Sequence, residues 1–199
     1  MTTRLARLDG TLLDAVALRA EFTFARAAAV LFVTVLTIVA AQVSIPLPFT
    51  PVPFTLQPMV VLLGGAALGA RLGMSSQLLY LALGLAGLPV FAASPALPQG
   101  IARLLGPTGG YLMSYPIAAF VAGSLAERGF DRRYATSVLA MAAGLVIIFT
   151  AGVAWIAWGL PHAGLSTAIA TGLVPFVPAD IVKIFLAATV LPVAWRYLR

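Results

Sequence analysis

With 199 residues, of which 61% are hydrophobic and only 9% charged, the chain is too apolar for a water-soluble domain, in which about a quarter of residues carry charge. Its net charge of +6 is scattered with no aromatic-interleaved basic patch, which argues against a nucleic-acid surface. The lack of cysteine excludes disulfides, thiolate chemistry and thiolate metal sites.

Long apolar runs, rather than alternating segments of about ten residues, predict helices over a barrel. The expected fold is all-α, an integral membrane bundle of six transmembrane helices over residues 27–199, preceded by a polar tail over 1–26. In the tail, Arg4, Arg7, Arg19 and Arg26 oppose Asp9, Asp14 and Glu21. Its leucines recur near helical spacing, so it either lies on the membrane surface or is solvated. Three acids in so long a leader disfavour a cleaved signal peptide.

The first span is expected from about Ala27 to Ile45. Next comes a proline-rich stretch, Pro46 to Pro58, whose prolines recur every two or three residues and forbid a helix. This stiff, uncharged loop either packs over a cavity as a lid or rests in the headgroup region. The second span, about Gln57 to Ala70, is short and glycine-rich. The third, about Leu72 to Phe91, carries Gln77 and Tyr80 on one face, where such side chains either join helices or meet a ligand.

Residues 92–110 form a loop ending in Gly106-Pro107-Thr108-Gly109-Gly110. No Gly-Lys-Ser/Thr follows, so it is not a phosphate loop. A glycine turn feeding the fourth span, about Tyr111 to Leu125, nevertheless exposes N–H groups suited to an anion. Arg103 in that loop is either a headgroup anchor or a carboxylate partner. The fifth span, about Ala135 to Leu160, bears Trp155 and Trp158, read as interfacial belt residues. His162 follows with no second histidine to share a metal; no metal site, catalytic residue or cofactor is expected. The sixth span, about Pro175 to Trp195, contains Asp180 and Lys183.

Six spans put both termini on one side, together with ten of the twelve basic residues, so the positive-inside rule places both termini in the cytoplasm of a bacterial or archaeal cell membrane. The proline loop, the Gly106–Gly110 turn and the first turns of the sixth span then share the outer half. Asp180 and Lys183, three apart, share a helical face and are too costly to leave facing lipid. They either neutralise each other to fix packing or line a small-molecule site. Gln57, Gln77, Tyr80, Arg103, Gly109 and Tyr111 complete the candidate ligand-binding set.

Four motifs in order, Pro46-x-Pro48…Thr50-Pro51-Val52-Pro53-Phe54-Thr55-Leu56-Gln57, Leu83-Gly84-Leu85-Ala86-Gly87-Leu88-Pro89-Val90-Phe91, Leu105-Gly106-Pro107-Thr108-Gly109-Gly110-Tyr111-Leu112 and Pro178-x-Asp180-x-x-Lys183, resemble the BioY family over about residues 27–195. These are biotin-binding substrate (S) components of energy-coupling-factor (ECF) transporters. The resemblance implies outward-facing, high-affinity biotin capture, with Asp180 and Lys183 at the positions of the acid and base of the family's ligand site. It also implies a transmembrane coupling protein and a pair of ATP-binding-cassette (ABC) ATPases as partners, although some members are thought to work without them. Asp180 would accept from the ureido N–H groups, Lys183 would donate to the ureido carbonyl or the carboxylate, and Phe49, Phe54 and Leu56 would cover the apolar ring. Ala25-x-x-x-Ala29 is the candidate coupling motif. The chain lacks a Walker motif, so ATP use must come from another subunit. The competing readings are a stand-alone secondary transporter or channel for a small anionic vitamin, and a small intramembrane enzyme. The latter is disfavoured by the lack of H-E-x-x-H and G-x-S-x-G.

Overall fold

The computed structural model describes residues 11–12, 22–94, 97–161 and 164–198. Most of the tail, Pro95, His162 and Arg199 lie outside the described residues, and with them the expectation of an amphipathic leader. The elements are α1 (Phe22–Gln42), β1 (Ser44–Ile45), β2 (Phe54–Thr55), α2 (Gln57–Leu68), α3 (Ala70–Leu85), α4 (Ile101–Leu105), α5 (Gly109–Glu127), a 3-10 turn (Phe130–Arg132), α6 (Tyr134–Ala154) running into a π turn (Trp155–Gly159), α7 (Leu165–Gly172) and α8 (Val177–Leu198). A helix therefore stands at each of the six expected spans, the second, α2, being only 12 residues long. Among the described residues three segments, Phe24–Gln42, Tyr134–Gly159 and Val177–Tyr197, are long and apolar enough to cross a bilayer on their own.

The bundle is built around α5, which packs against α2, α3 and α6. Lipid is as apolar as leucine, so helices in a bilayer associate through close packing and polar contacts rather than by a hydrophobic drive. Small residues permit that approach. A Cβ on Gly65 of α2 would lie 2.5 Å from the Ala119 carbonyl oxygen of α5, and a Cβ on Gly73 of α3 only 2.6 Å from the Gly65 Cα. Gly69, at φ +87°, reverses the chain between α2 and α3. Glu127 then caps the new helix by accepting from the Ala70 N–H at 2.9 Å.

Polar contacts hold α1 against α3. The Thr34 hydroxyl donates to the Ser76 carbonyl at 3.0 Å, and Gln77 Nε2 donates to the Thr37 hydroxyl at 3.2 Å. The opposite face of α1, with Leu31, Phe32, Val35 and Val39, is exposed and suited to lipid.

Two expectations about the loop-bearing end change. The third span stops at Leu85 rather than Phe91, because Gly87 adopts φ +90° and Pro89 cannot continue a helix; the chain folds back so that the Phe91 ring fills the space over Gly84. The proline stretch is not irregular throughout. β1 pairs antiparallel with β2, Ser44 opposite Thr55 and Ile45 opposite Phe54, which pinches residues 46–53 into a closed loop. The Thr50 hydroxyl pins that loop to the Thr171 carbonyl at the end of α7, at 2.7 Å.

The two tryptophans also differ. Trp158 is 76% exposed, as a belt residue would be, whereas Trp155 Nε1 donates to the Gly106 carbonyl at 2.9 Å and holds the glycine turn.

At the other end, Asp131 is buried and accepts from Trp195 Nε1 at 2.5 Å, with the Arg132 guanidinium over the Trp195 ring. Burial raises the Asp131 pKa above the usual carboxylate range, while the Trp195 hydrogen bond, a backbone hydrogen bond and Arg132 lower it by less. The fold therefore favours the protonated acid. The penalty is absent below the unfolded pKa of about 3.9 and complete above the raised folded value. Asp131→Asn, which still accepts from Trp195, is expected to melt no lower than the parent at pH 7 in detergent. It should also lack this residue's share of the gain in stability as pH falls through that window. A melting point several degrees lower at pH 7 would contradict this.

Candidate functional site

One cavity at the loop-bearing end gathers most of the polar residues singled out from sequence. It is narrow and partly open to the outside, with a volume of about 50 Å³ for the centre of a water-sized sphere. Its polar lining includes Thr55, Gln57, Arg103, Thr108, Tyr111, Tyr115, Asp180 and Lys183. Phe91, Leu112, Ile148, Phe149 and Phe176 supply apolar walls. The cover comes from Val52 and Pro53 of the proline loop; Phe49, Phe54 and Leu56 do not line the space.

Asp180 and Lys183 enter from the first turns of α8. Pro178 suits the helix start, and the carboxylate in the first turn complements the helix dipole. Both residues are buried, and Lys183 Nζ lies 2.6 Å from Asp180 Oδ1. The same ammonium donates to the Thr55 carbonyl at 2.6 Å and sits 3.5 Å from the Phe54 ring centroid. Lys183 thus ties α8 to β2. Asp180 still has a second oxygen to offer, since a carboxylate accepts at two atoms.

Arg103, on α4, is buried to 1% exposure. One of its terminal nitrogens, Nη2, donates to the Ala92 carbonyl, whereas Nε and Nη1 have no partner among the described residues. Burial lowers its pKa, but a guanidinium stays charged at neutral pH. A buried cation with two unpartnered donor nitrogens on a cavity wall is costly unless an anion completes it.

Of the remaining candidates, Gln57 and Tyr111 line the cavity. The Tyr111 hydroxyl is occupied, donating to the Gly172 carbonyl at 2.7 Å. Tyr80 lies behind the wall, where its hydroxyl accepts from Gln57 Nε2 at 2.7 Å. Gln77 lies outside the lining and faces Thr37 of α1. Gly109 is outside it too. Its Cα packs on the Leu104 carbonyl and Trp155, and its N–H donates back to the Gly106 carbonyl at 3.0 Å. That internal bond takes up one of the donors the glycine turn was expected to present. Ala25 and Ala29 are half-buried on α1, away from the cavity.

Sequence reasoning did not single out Tyr115, Thr108 or Phe176. Tyr115 was within reach, since Tyr111 and Tyr115 are four apart on one helical face. Thr55 contributes its backbone carbonyl to Lys183, for which residue type gives no signal.

A helical membrane bundle with a largely apolar cavity, a buried acid–amine pair and an incompletely paired arginine is a membrane protein built to hold a small polar ligand. The matches to known proteins agree. The BioY family model covers residues 15–199, and the chain belongs to this family. It is 45% identical over 161 residues to the probable biotin transporter BioY of Pyrococcus horikoshii, covering 81% of this chain and 88% of that protein. The biotin transporter BioY of Thermotoga maritima is 41% identical over 157 residues, covering 79% and 88%. The crystal structure of the S-component for biotin from an ECF-type ABC transporter superposes with a TM-score of 0.78 at 27% identity, covering 87% of this chain and 92% of that one.

Proposed function

We propose that the chain takes up biotin across the cell membrane, capturing it from the outer face as the S component of an ECF transporter. The observation that carries this is the cavity wall on which Asp180, Lys183 and the two unpartnered donor nitrogens of Arg103 stand among apolar side chains. Biotin offers matching chemistry: a ureido ring that donates and accepts, an apolar sulfur ring and a carboxylate. In this reading Asp180 accepts from a ureido N–H, Lys183 donates to the ureido carbonyl, and Arg103 takes the carboxylate. Gln57 and Tyr111 complete the polar wall, and the apolar side chains cover the sulfur ring. Membership of the BioY family makes the function transport rather than bond-breaking chemistry.

In the same reading residues 27–199 form one six-span substrate-binding domain with both termini cytoplasmic, which puts the cavity outside and Asp131 inside. Ala25 and Ala29 near the inner face give a coupling protein a close approach, and that protein's ABC-type ATPases supply the energy.

Calorimetry on the chain purified alone tests the core of the proposal, with saturable one-to-one biotin binding expected and no heat of binding as the contrary result. Uptake into vesicles with and without ATPase partners then separates an ECF component from a stand-alone transporter. Arg103→Met is expected to weaken biotin binding about ten- to a hundredfold, as for lost hydrogen bonds to a charged group. Biotin methyl ester should bind the parent and the variant almost equally. A variant that still preferred the free acid as strongly as the parent would remove Arg103 from that role.

A further inference from the structure

Tyr80 does not line the cavity and is fully buried, yet its hydroxyl sits in a chain of hydrogen bonds that satisfies every partner in one direction. The Val90 carbonyl, 3.3 Å away, can only accept, so the single Tyr80 proton goes there. The Tyr80 oxygen must then accept from Gln57, at 2.7 Å. An amide that donates from Nε2 on that side turns its Oε1 the other way, where it accepts from the Thr55 hydroxyl at 3.3 Å. Gln57 lines the cavity, and a carbonyl oxygen has a second lone pair. A flipped Gln57 would either set two acceptors against each other at Tyr80 or draw the Tyr80 proton away from the buried Val90 carbonyl, and it would turn its amide nitrogen towards the Thr55 hydroxyl.

The geometry points to Tyr80 as a positioning residue that fixes which way round Gln57 presents its amide, and hence which ligand donor and acceptor groups the start of α2 recognises. Tyr80 is held for this task by the Phe91 ring, packed edge to face at 5.6 Å and 84°. Phe91 is itself a cavity wall. The inference rests on the biotin reading and adds to it a residue that selects the ligand without touching it.

The test is a double-mutant cycle read by biotin calorimetry on the purified full chain, because only coupled residues give non-additive losses. Tyr80→Phe keeps the ring and removes one oxygen. It is expected to lower biotin affinity about tenfold while the ligand-free melting temperature moves by only a few degrees. In a Gln57→Met background the same substitution is expected to change affinity less than about twofold, because the group that Tyr80 orients is gone. An equal loss in both backgrounds, or no loss in Tyr80→Phe, overturns the positioning role. If Asp180→Asn still abolishes binding in that case, the biotin reading stands. A parent chain that binds no biotin overturns both.

Discussion

Asp180→Asn and Lys183→Met are each expected to lower biotin affinity at least about a hundredfold, the scale of losing a charge-assisted hydrogen bond in a desolvated site. They should also destabilise the ligand-free chain, because removing one partner of a buried pair leaves an unpaired charge, a cost of about 3–5 kcal/mol. The two effects separate in the double variant. Replacing both charges removes the unpaired ion, and buried pairs replaced by neutral groups of similar size are often tolerated. Asp180→Asn/Lys183→Met is therefore expected to recover much of the melting temperature lost by either single variant and to remain unable to bind biotin. Full biotin affinity in the double variant would leave the pair as a packing device, as an acid three residues from an amine on one helix also permits. Lys183 carries a further load. Its bonds to Asp180 and the Thr55 carbonyl, both at 2.6 Å, join α8 to the strand pair, so Lys183→Met is expected to disturb the proline loop more than Asp180→Asn does.

Gly65→Ala is expected to cost about 3 kcal/mol or more of stability, beyond the usual range for one added methyl in a packed core. The new Cβ would meet Ala119 backbone atoms, the carbonyl oxygen at 2.5 Å and Cα at 2.7 Å, and neither can swing aside as a side chain would. Relief requires α2 to move away from α5, which carries Gln57 out of the cavity wall. Gly106→Ala is the matched control. A Cβ there would meet its nearest neighbours at 3.5 Å, an ordinary contact, and its φ of −87° suits any residue. Size-exclusion profiles and melting temperatures in detergent should show loss of folded protein for the first and little change for the second. Equal behaviour of the two would mean that the helix crossing is looser than its geometry indicates.

The outline of the bundle was readable in sequence because helices in lipid must satisfy their backbone internally, so each demands a long apolar run. Asp180 and Lys183 stood out for the same reason, as the charges no bilayer-facing helix accepts. Less was readable where one residue type serves two ends. Gln77 and Tyr80 share a face of α3, but only the packing of α1 on one side and of Gln57 on the other separates a helix tie from a residue of the ligand wall. The glycines of the 106–110 turn suggested an anion cradle, yet Gly109 is there because α4 and Trp155 approach too closely for a side chain.

Composition and order alone determined that this chain is a membrane helix bundle, where its long helices stand, and that the start of its last helix carries a buried acid and amine, since the energetics of apolar surroundings act on every residue locally. Only the tertiary structure decided that Arg103 keeps two nitrogens without a partner among the described residues, that Lys183 anchors a strand, and that Tyr80 lies one layer behind the cavity. Those are relations between segments far apart in the chain, and hydrogen-bond direction and close packing exist only once the segments meet.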